Sequence, residues 1–295
     1  MNFLESLGKN PQMRIALPEA IDGEILRAAR RALDEKICHP VLIGDPDKIR
    51  AAADAAKVDL KNLEIIQPDG DALDFGLELL KNKKIDGLVA GRQLTSRAVL
   101  LKARDILGIE PGVKTFSSLF VMDFPARAPL ILADCGVVNH PGAERLADIA
   151  TGATDFAAKI FDEVNAAFLS FSTLGSGGHD PTIDIILQAL ELVKNRRPSL
   201  NIDGEMQLDA AINPSIAARK APRSPVAGRA NLLIVPDLNA GNIFYKSLEQ
   251  FAGARAYGPI LLGFSRPLSD LSRGSTVDDI FGTLAVLAAS LPDKN

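Results

Sequence analysis

Short apolar runs alternate along the chain with amphipathic segments in which every third or fourth position is apolar. Uninterrupted apolar runs of four to seven residues are typical of parallel strands that helices cover on both faces. We therefore predict strands at residues 14–17, 40–44, 63–66, 86–90, 130–134, 166–172, 231–235 and 259–263.

The amphipathic segments predict helices, most clearly at residues 21–36, 181–196 and within 269–291. Their core-facing positions are Ile21, Ile25, Ala29 and Leu33; then Ile183, Ile186, Leu187, Leu190 and Val193; then Val277, Ile280, Leu284, Leu287 and Leu291. Strands that alternate with helices indicate the α/β class.

Length and charge narrow the range of functions. The chain has 295 residues, 47% of them apolar, and chains beyond ~250–300 residues usually divide, so we expect two lobes. The net charge of −4 is spread along the sequence, which argues against nucleic acid or a membrane surface as partner.

No apolar run approaches the ~18 residues of a membrane span, and the N-terminus lacks a signal-peptide pattern. The two cysteines, Cys38 and Cys135, cannot form a disulfide framework, so we expect a cytoplasmic protein.

In α/β folds, ligands bind beyond the carboxyl ends of the strands, and three such junctions carry candidate chemistry. The first is 170–184, where Gly175, Gly177 and Gly178 follow a strand and Asp180 with Pro181 begins a helix. Glycines let a ligand approach the backbone, and helix N–H groups bind phosphate. The spacing fits neither a P-loop nor a dinucleotide fingerprint. A tight structural turn and an anion site both remain open.

The second junction is 235–248, where Asp237, Asn239, Gly241 and Asn242 follow an apolar strand. These residue types serve equally as turn and capping residues or as polar contacts to a ligand. The two interpretations are evenly matched.

The third junction, 269–291, is the most informative. Ser275 followed by Asp278 predicts a capping-box-like helix start, which leaves Asp279 free and turned by about 100° around the helix axis. Just before it stand Ser272, Arg273 and Gly274.

A hydroxyl, a guanidinium and a helix N-terminus together would hold a phosphate. The alternative is that the acids only favour the helix dipole and that Arg273 forms a surface ion pair.

Other candidates are weaker. The three histidines are not at metal-ligand spacing, and none forms a visible catalytic set: His39, His140 and His179. Cys135 is better explained as a core thiol than as a nucleophile. Asp203, Glu205 and Asp209 are either a divalent-metal set or a polar strand end.

Seven segments, in order and through most of the chain, resemble the phosphate acetyltransferase (phosphotransacetylase) family. They are DGLVAG (86–91), PGVKTFSSLF (111–120), ADCGVV (133–138), SFSTLGSGGH (170–179), DGEMQLDAA (203–211), APRSPVAGRANLLIVPDLNAGN (221–242) and GPILLGFSRPLSDLSRGSTVDDI (258–280). The resemblance implies a two-lobed α/β fold of mainly parallel sheets, like that of isocitrate and isopropylmalate dehydrogenases, with the active site in the interlobe cleft. One lobe would hold residues 1–121 and 268–295, and the other residues 122–267.

The resemblance also implies site residues. Catalytic residues would be Ser272, Arg273 and Asp279; substrate-binding residues would be Ser172, Thr173, Gly175, Ser176, Asn239, Gly241, Asn242 and Gly274. In the implied reaction, the aspartate accepts the coenzyme A thiol proton and the thiolate attacks an acyl phosphate. The arginine neutralises phosphate and the serine hydrogen-bonds the reacting group. Coenzyme A is a substrate, no metal or permanently bound cofactor is needed, and a homodimer is expected.

The chain departs from the family pattern at Leu174 and Gly178, where lysines are usual, and at Leu101, where an arginine is expected. Alternatives are a preference for propionyl or butyryl groups, a non-catalytic sensor of acyl phosphate or acyl-coenzyme A, and, less well supported, a decarboxylating dehydrogenase. Retention of Ser272, Arg273 and Asp279 argues against the sensor.

Overall fold

The computed structural model describes residues 3–292. Within this range no helix is both long and apolar enough to cross a membrane. The chain forms two compact units, Met1–Gly112 with Tyr257–Asn295, and Val113–Ala256.

These borders lie earlier in the chain than the expected borders at 121/122 and 267/268. Strand β5 (Ser117–Phe124) pairs with β6 (Arg127–Ala133) in an antiparallel hairpin, which keeps it in the second unit. Strand β10 (Arg255–Leu262) pairs antiparallel with β11 (Leu268–Asp270), which ties most of β10 to the first unit.

The first unit has a mainly parallel sheet in the order β3-β2-β1-β4-β11-β10. Its other strands are β1 (Arg14–Leu17), β2 (His39–Ile43), β3 (Glu64–Ile66) and β4 (Gly87–Ala90). Its helices are α1 (Phe3–Ser6), α2 (Gly23–Asp34), α3 (Pro46–Ala56), α4 (Ala72–Lys81), α5 (Ser96–Leu107) and α11 (Val277–Ala289).

The second unit has its strands in the order β5-β6-β9-β7-β8, parallel except for the β5–β6 hairpin. The remaining strands are β7 (Ala166–Leu169), β8 (Ile202–Met206) and β9 (Leu232–Ile234). The helices are α6 (Ala143–Ala157), α7 (Pro181–Arg196), α8 (Leu208–Ile212), α9 (Pro214–Lys220) and α10 (Leu238–Ala252).

Aspartates begin many of these helices because a carboxylate accepts the unpaired N–H groups of the first turn. Asp180 caps α7 with Pro181 in its first turn, as predicted. Helix α2 instead begins after Asp22, so Ile21 lies before the helix and is 51% exposed rather than core-facing. Leu187 on α7 is also exposed.

Parallel pairing brings the carboxyl ends of neighbouring strands to one edge in each unit. In the first unit, β1, β4 and β11 are parallel neighbours, so the loops after Leu17, Ala90 and Asp270 meet. In the second unit, β6, β9 and β7 are neighbours, which brings together the loops after them.

Candidate active site

The loop of residues 272–274, called the SRG loop below, follows β11 in the first unit and is exposed. The Ser275 N–H donates to the Ser272 carbonyl at 2.9 Å, and the Gly274 N–H donates weakly to the Ser272 hydroxyl at 3.4 Å. Among residues 3–292, the Arg273 guanidinium has no ion pair and the N–H groups of Ser272 and Arg273 have no acceptor. The loop therefore offers a cation, a hydroxyl and two N–H donors to an anion.

The start of α11 corrects one prediction. The cap is Thr276, not Ser275, and its box partner is Asp279, not Asp278. The Asp279 N–H donates to the Thr276 hydroxyl at 3.3 Å, while Asp279 Oδ2 accepts both the N–H and the hydroxyl of Thr276 at 2.8 Å. Asp279 Oδ1 accepts no hydrogen bond from the described part of the chain. Asp279 thus caps the helix with one oxygen and leaves the other open.

Asp278, which was expected to cap the helix, has a different partner. Its Oδ1 lies 2.8 Å from Arg31 Nη1 of α2. The same guanidinium stacks on the Phe281 ring, 3.8 Å from the ring centroid. Asp278 therefore ties α11 to α2.

A buried glutamate after β1 organises the neighbouring loop. Glu19 is 7% exposed, and its carboxylate accepts the N–H groups of Arg92, Gln93 and Leu94 at 2.7–2.8 Å. Three N–H donors to a single carboxylate hold this backbone firmly. The loop after β4 is thereby fixed beside the SRG loop.

β11 passes β4 at very short range before it reaches the SRG loop. A Cβ on Gly91 would lie 2.1 Å from Asp270 Oδ1 and 2.8 Å from the Leu271 backbone, so only glycine fits. Asp270 is buried, and its Oδ1 has no partner in residues 3–292. Burial raises the pKa of Asp270 to about 6, opposed by the Ser96 hydroxyl and reinforced by the charge of Glu19.

In the second unit, the loop of residues 172–178, called the glycine loop, is held by a buried acid of β8. Glu205 Oε1 accepts the Ser172 hydroxyl at 2.7 Å and the Gly175 N–H at 2.8 Å. The Ser172 hydroxyl in turn accepts the Gly177 N–H, and the Thr173 hydroxyl accepts a backbone N–H from β8's end. Ser172 and Thr173, both expected to bind substrate, are buried with their hydroxyls engaged.

Every backbone N–H of the glycine loop has an acceptor within the unit. The acceptors are the hydroxyls of Ser170, Ser172 and Ser176, the backbone carbonyls of Thr173, Gly175 and Glu205, and the Glu205 carboxylate. Within residues 172–178 this favours a structural turn, because no N–H of the glycine loop remains for an anion. Its exposed residues are Leu174, in the left-handed region at φ 48°, and residues 175–178.

The second junction begins a helix, so the first of its candidate residues serves in capping, as one of the two interpretations expected. Asp237 caps α10, which places Asn239, Gly241 and Asn242 in its first turns. Both asparagines are exposed. Gly241 is buried, and a Cβ there would lie 2.6 Å from the Asp134 carbonyl oxygen. Its role in the structure is close helix–strand packing, while the asparagines remain open to a ligand.

The remaining candidates have structural partners. Cys135 is buried in the core of the second unit, and burial raises its pKa well above the usual value, as it raises that of Cys38 to about 12. Asp203 pairs with Lys194 at 3.2 Å and Asp209 with Lys220 at 2.8 Å. Since Glu205 holds the glycine loop, the three acids have separate tasks.

Sequence reasoning missed Glu19 and Arg92, and it offered a polar strand end for Glu205 without foreseeing that this carboxylate holds the glycine loop. The available signal was position: Glu19 and Arg92 each stand two residues after a strand, at the edge where ligands bind.

Comparisons with known proteins identify the family of this chain. The family model for "Phosphate acetyl/butaryl transferase" matches residues 2–74 and 69–289. The chain belongs to this family. The phosphate acetyltransferase of Treponema pallidum (strain Nichols) is 38% identical over 328 residues, covering 97% of this chain and 98% of the relative.

Solved structures confirm the predicted α/β fold class. A phosphotransacetylase from Streptococcus pyogenes has a TM-score of 0.86 and 33% identity, covering 97% of this chain and 96% of that one. A 4-hydroxythreonine-4-phosphate dehydrogenase from Burkholderia phymatum has a TM-score of 0.61 at 14% identity, covering 97% and 100% of the two chains. The second likeness concerns the fold alone.

Proposed function

We propose that the protein is a phosphate acetyltransferase that interconverts acetyl phosphate plus coenzyme A with acetyl-coenzyme A plus phosphate. Its membership of the family and the names of its relatives support this activity. The single structural observation that carries it is the SRG loop, where an unpaired Arg273, a hydroxyl and two N–H donors stand beside the half-open carboxylate of Asp279.

In this proposal, Asp279 Oδ1 accepts the thiol proton of coenzyme A. A thiol near pH 7 is mostly protonated, since its pKa is around 8.5, so a base raises the thiolate fraction at the moment of attack. The thiolate forms a C–S bond with the acyl carbonyl carbon, and the C–O bond to phosphate breaks. Arg273 neutralises the departing phosphate, and Ser272 hydrogen-bonds the reacting group.

The other proposed substrate-binding residues divide by exposure. Gly274, Gly175, Ser176, Asn239 and Asn242 are exposed and remain proposed contacts to substrate. Ser172, Thr173 and Gly241 are buried, and we propose that they act by shaping the backbone that carries the exposed ones.

The test is a substrate panel on the purified protein: acetyl, propionyl and butyryl phosphate with coenzyme A, with and without EDTA. We expect thioester formation with acetyl phosphate as the preferred substrate and no effect of EDTA. A preference for butyryl phosphate would move the assignment to a butyryltransferase, and no thioester from any substrate would favour a sensor. Activity that EDTA abolishes and magnesium restores would contradict the metal-free scheme.

We further infer a homodimer in a reducing, cytoplasmic compartment. Two free, buried cysteines suit such a compartment. Light scattering on the purified protein measures the oligomeric state, and a monomeric mass would contradict the dimer.

A further inference from the structure

The side chain of Arg92 connects the loop after β4 to the SRG loop. Its Nη1 donates to the backbone carbonyl of Arg273, and its Nη2 lies 3.5 Å from Glu24 Oε2 of α2. The side chain is only 21% exposed. Arg92 is therefore a largely buried cation that joins an acid on α2 to the residue proposed to bind phosphate.

The base of this side chain is fixed as well. The Arg92 N–H donates to Glu19 Oε2 at 2.8 Å, and the next residue, Gln93, donates from Nε2 to Asp22 Oδ2 at 3.3 Å. A long side chain loses conformational freedom when it is held in one geometry. Anchoring its backbone and guanidinium limits the motion left to the carbonyl of Arg273.

The Arg92 guanidinium is not fully used by these contacts. Its Nε is buried and has no partner among residues 3–292. A buried cation with an unsatisfied donor costs stability that a neutral side chain would not cost. A feature of this kind points to a functional role beyond packing.

We propose that Arg92 is a positioning residue for the reaction: it fixes the backbone of Arg273 so that the free guanidinium of Arg273 is held ready for the substrate phosphate. This proposal rests on the proposed function of the SRG loop. It adds a residue outside the segments whose resemblance indicated the catalytic set.

A neighbouring arginine provides a matched control. Arg27 pairs with the same glutamate, 3.1 Å from Glu24 Oε1, yet forms no hydrogen bond or ion pair with the SRG loop among the described residues. Arg27→Gln removes a Glu24 partner and one positive charge without touching Arg273. Arg92→Gln also removes a Glu24 partner and one positive charge, and in addition it removes the hydrogen bond to the Arg273 carbonyl.

The first readout is steady-state kinetics with acetyl phosphate and coenzyme A. A charge-assisted hydrogen bond is worth about tenfold in binding, so Arg92→Gln should raise KM for acetyl phosphate about tenfold. KM for coenzyme A should change by less than about twofold. Arg92→Lys keeps the positive charge but loses the planar guanidinium that reaches two acceptors at once. Its KM for acetyl phosphate should lie between those of the wild type and Arg92→Gln. Arg27→Gln should resemble the wild type.

The second readout does not depend on activity. Amide hydrogen exchange reports local opening. The exchange rate of a peptide covering residues 271–276 should be about tenfold higher than in wild type for Arg92→Gln and equal to wild type for Arg27→Gln. If Arg92→Gln fails to fold, Arg92→Lys takes its place in both measurements, with smaller shifts in the same direction.

Two results would overturn the proposal. One is wild-type exchange of residues 271–276 in the Arg92 variants. The other is a lower melting temperature and active fraction with unchanged KM for acetyl phosphate, which would make Arg92 merely structural. If the wild type forms no thioester, the proposed function fails, and the exchange experiment alone decides whether Arg92 holds the loop.

Discussion

The two loops that carry the candidate site residues are held in opposite ways. In the first unit, a cation from Arg92 binds a carbonyl of the SRG loop, and the N–H groups of Ser272 and Arg273 stay free. In the second unit, the carboxylate of Glu205 takes up donors of the glycine loop, and every N–H from 172 to 178 is satisfied.

The difference assigns distinct chemistry to the two loops. An anion needs unpaired donors and positive charge, and the SRG loop has both. The glycine loop has neither, since each of its N–H groups has an acceptor and residues 172–178 include no basic side chain. We therefore expect phosphate recognition to depend on the SRG loop and the glycine loop to contact uncharged parts of a substrate.

The largest expected effect is at Asp279. Loss of a positioned base costs ~10²–10⁴ in rate, or roughly 3–5 kcal/mol of barrier. The turnover rate of Asp279→Asn should fall by this factor. Raised pH should restore part of the rate, because thiolate accumulates. Asparagine keeps an oxygen for Thr276, so its melting temperature should change little. Asp279→Ala should in addition lose about 1 kcal/mol of stability with the cap. Near-wild-type turnover of Asp279→Asn would show that another group is the base.

The next effect is at Glu205 and concerns stability rather than phosphate binding. Glu205→Ala leaves the Ser172 hydroxyl and the Gly175 N–H without an acceptor, which should lower the free energy of unfolding by about 1–3 kcal/mol. Urea unfolding measures this loss. In the folded fraction, inhibition by inorganic phosphate should stay within about threefold of wild type, because the glycine loop is not the anion site. A much larger loss of phosphate inhibition would contradict the contrast between the loops.

A third effect is a pH dependence at Asp270, whose pKa burial raises from 3.8 to about 6. The folded state favours its protonated form, so its contribution to stability is present below the unfolded pKa and is lost as pH rises through 6. Asp270→Asn cannot ionise. The free energy of unfolding of Asp270→Asn, minus that of wild type, should therefore be about 2 kcal/mol larger at pH 7.5 than at pH 4.5, so the variant gains stability over wild type as pH rises.

Denaturant titrations of both proteins at the two pH values check this difference. A stability difference between Asp270→Asn and wild type that is constant with pH would mean that Asp270 titrates alike in the folded and unfolded chain.

The smallest effect is at Asp278. Its ion pair with Arg31 is nearly half exposed on both sides, and such pairs are worth ~0–1 kcal/mol. Asp278→Asn should lower stability by no more than this amount and leave turnover nearly intact. Arg31→Gln should cost slightly more, because it also loses the stacking on Phe281. A large loss of turnover in Asp278→Asn would indicate that Asp278, and not Asp279, is the base.

The pair Asp278 and Asp279 also shows where sequence reasoning stops. Ser275 with Asp278 and Thr276 with Asp279 have the same capping-box spacing, so the pattern fits two registers one residue apart. Contacts from distant segments decide between them: Arg31 binds Asp278, and Ser275 is buried. Such contacts leave no local signal.

The strands show the same limit. Apolar runs such as 14–17 and 231–235 predicted β1 and β9 closely, because a strand covered on both faces must be apolar. Strands β5, β8 and β11 were missed. β11 has only three residues, two of them the buried polar Ser269 and Asp270, and the hydroxyl of Ser269 is satisfied by the carbonyl of Pro259.

In the candidate site, too, some residues could be predicted from the sequence and others could not. The resemblance placed Ser272, Arg273 and Asp279 in one short segment, and the structure keeps them together at the start of α11. Arg92 binds the carbonyl of Arg273, and Glu19 accepts the N–H of Arg92. Both residues follow other strands of the first unit, and the sheet order brings those strand ends to one edge.

The central claim is direct transfer of the acyl group from phosphate to coenzyme A without an acyl-enzyme. Both cysteines are buried with raised pKa values, which makes them poor nucleophiles. The most direct measurement is exchange of isotopically labelled phosphate into acetyl phosphate by the wild-type protein in the absence of coenzyme A. We expect no exchange until coenzyme A is added. Exchange without coenzyme A would reveal a covalent intermediate and contradict direct transfer.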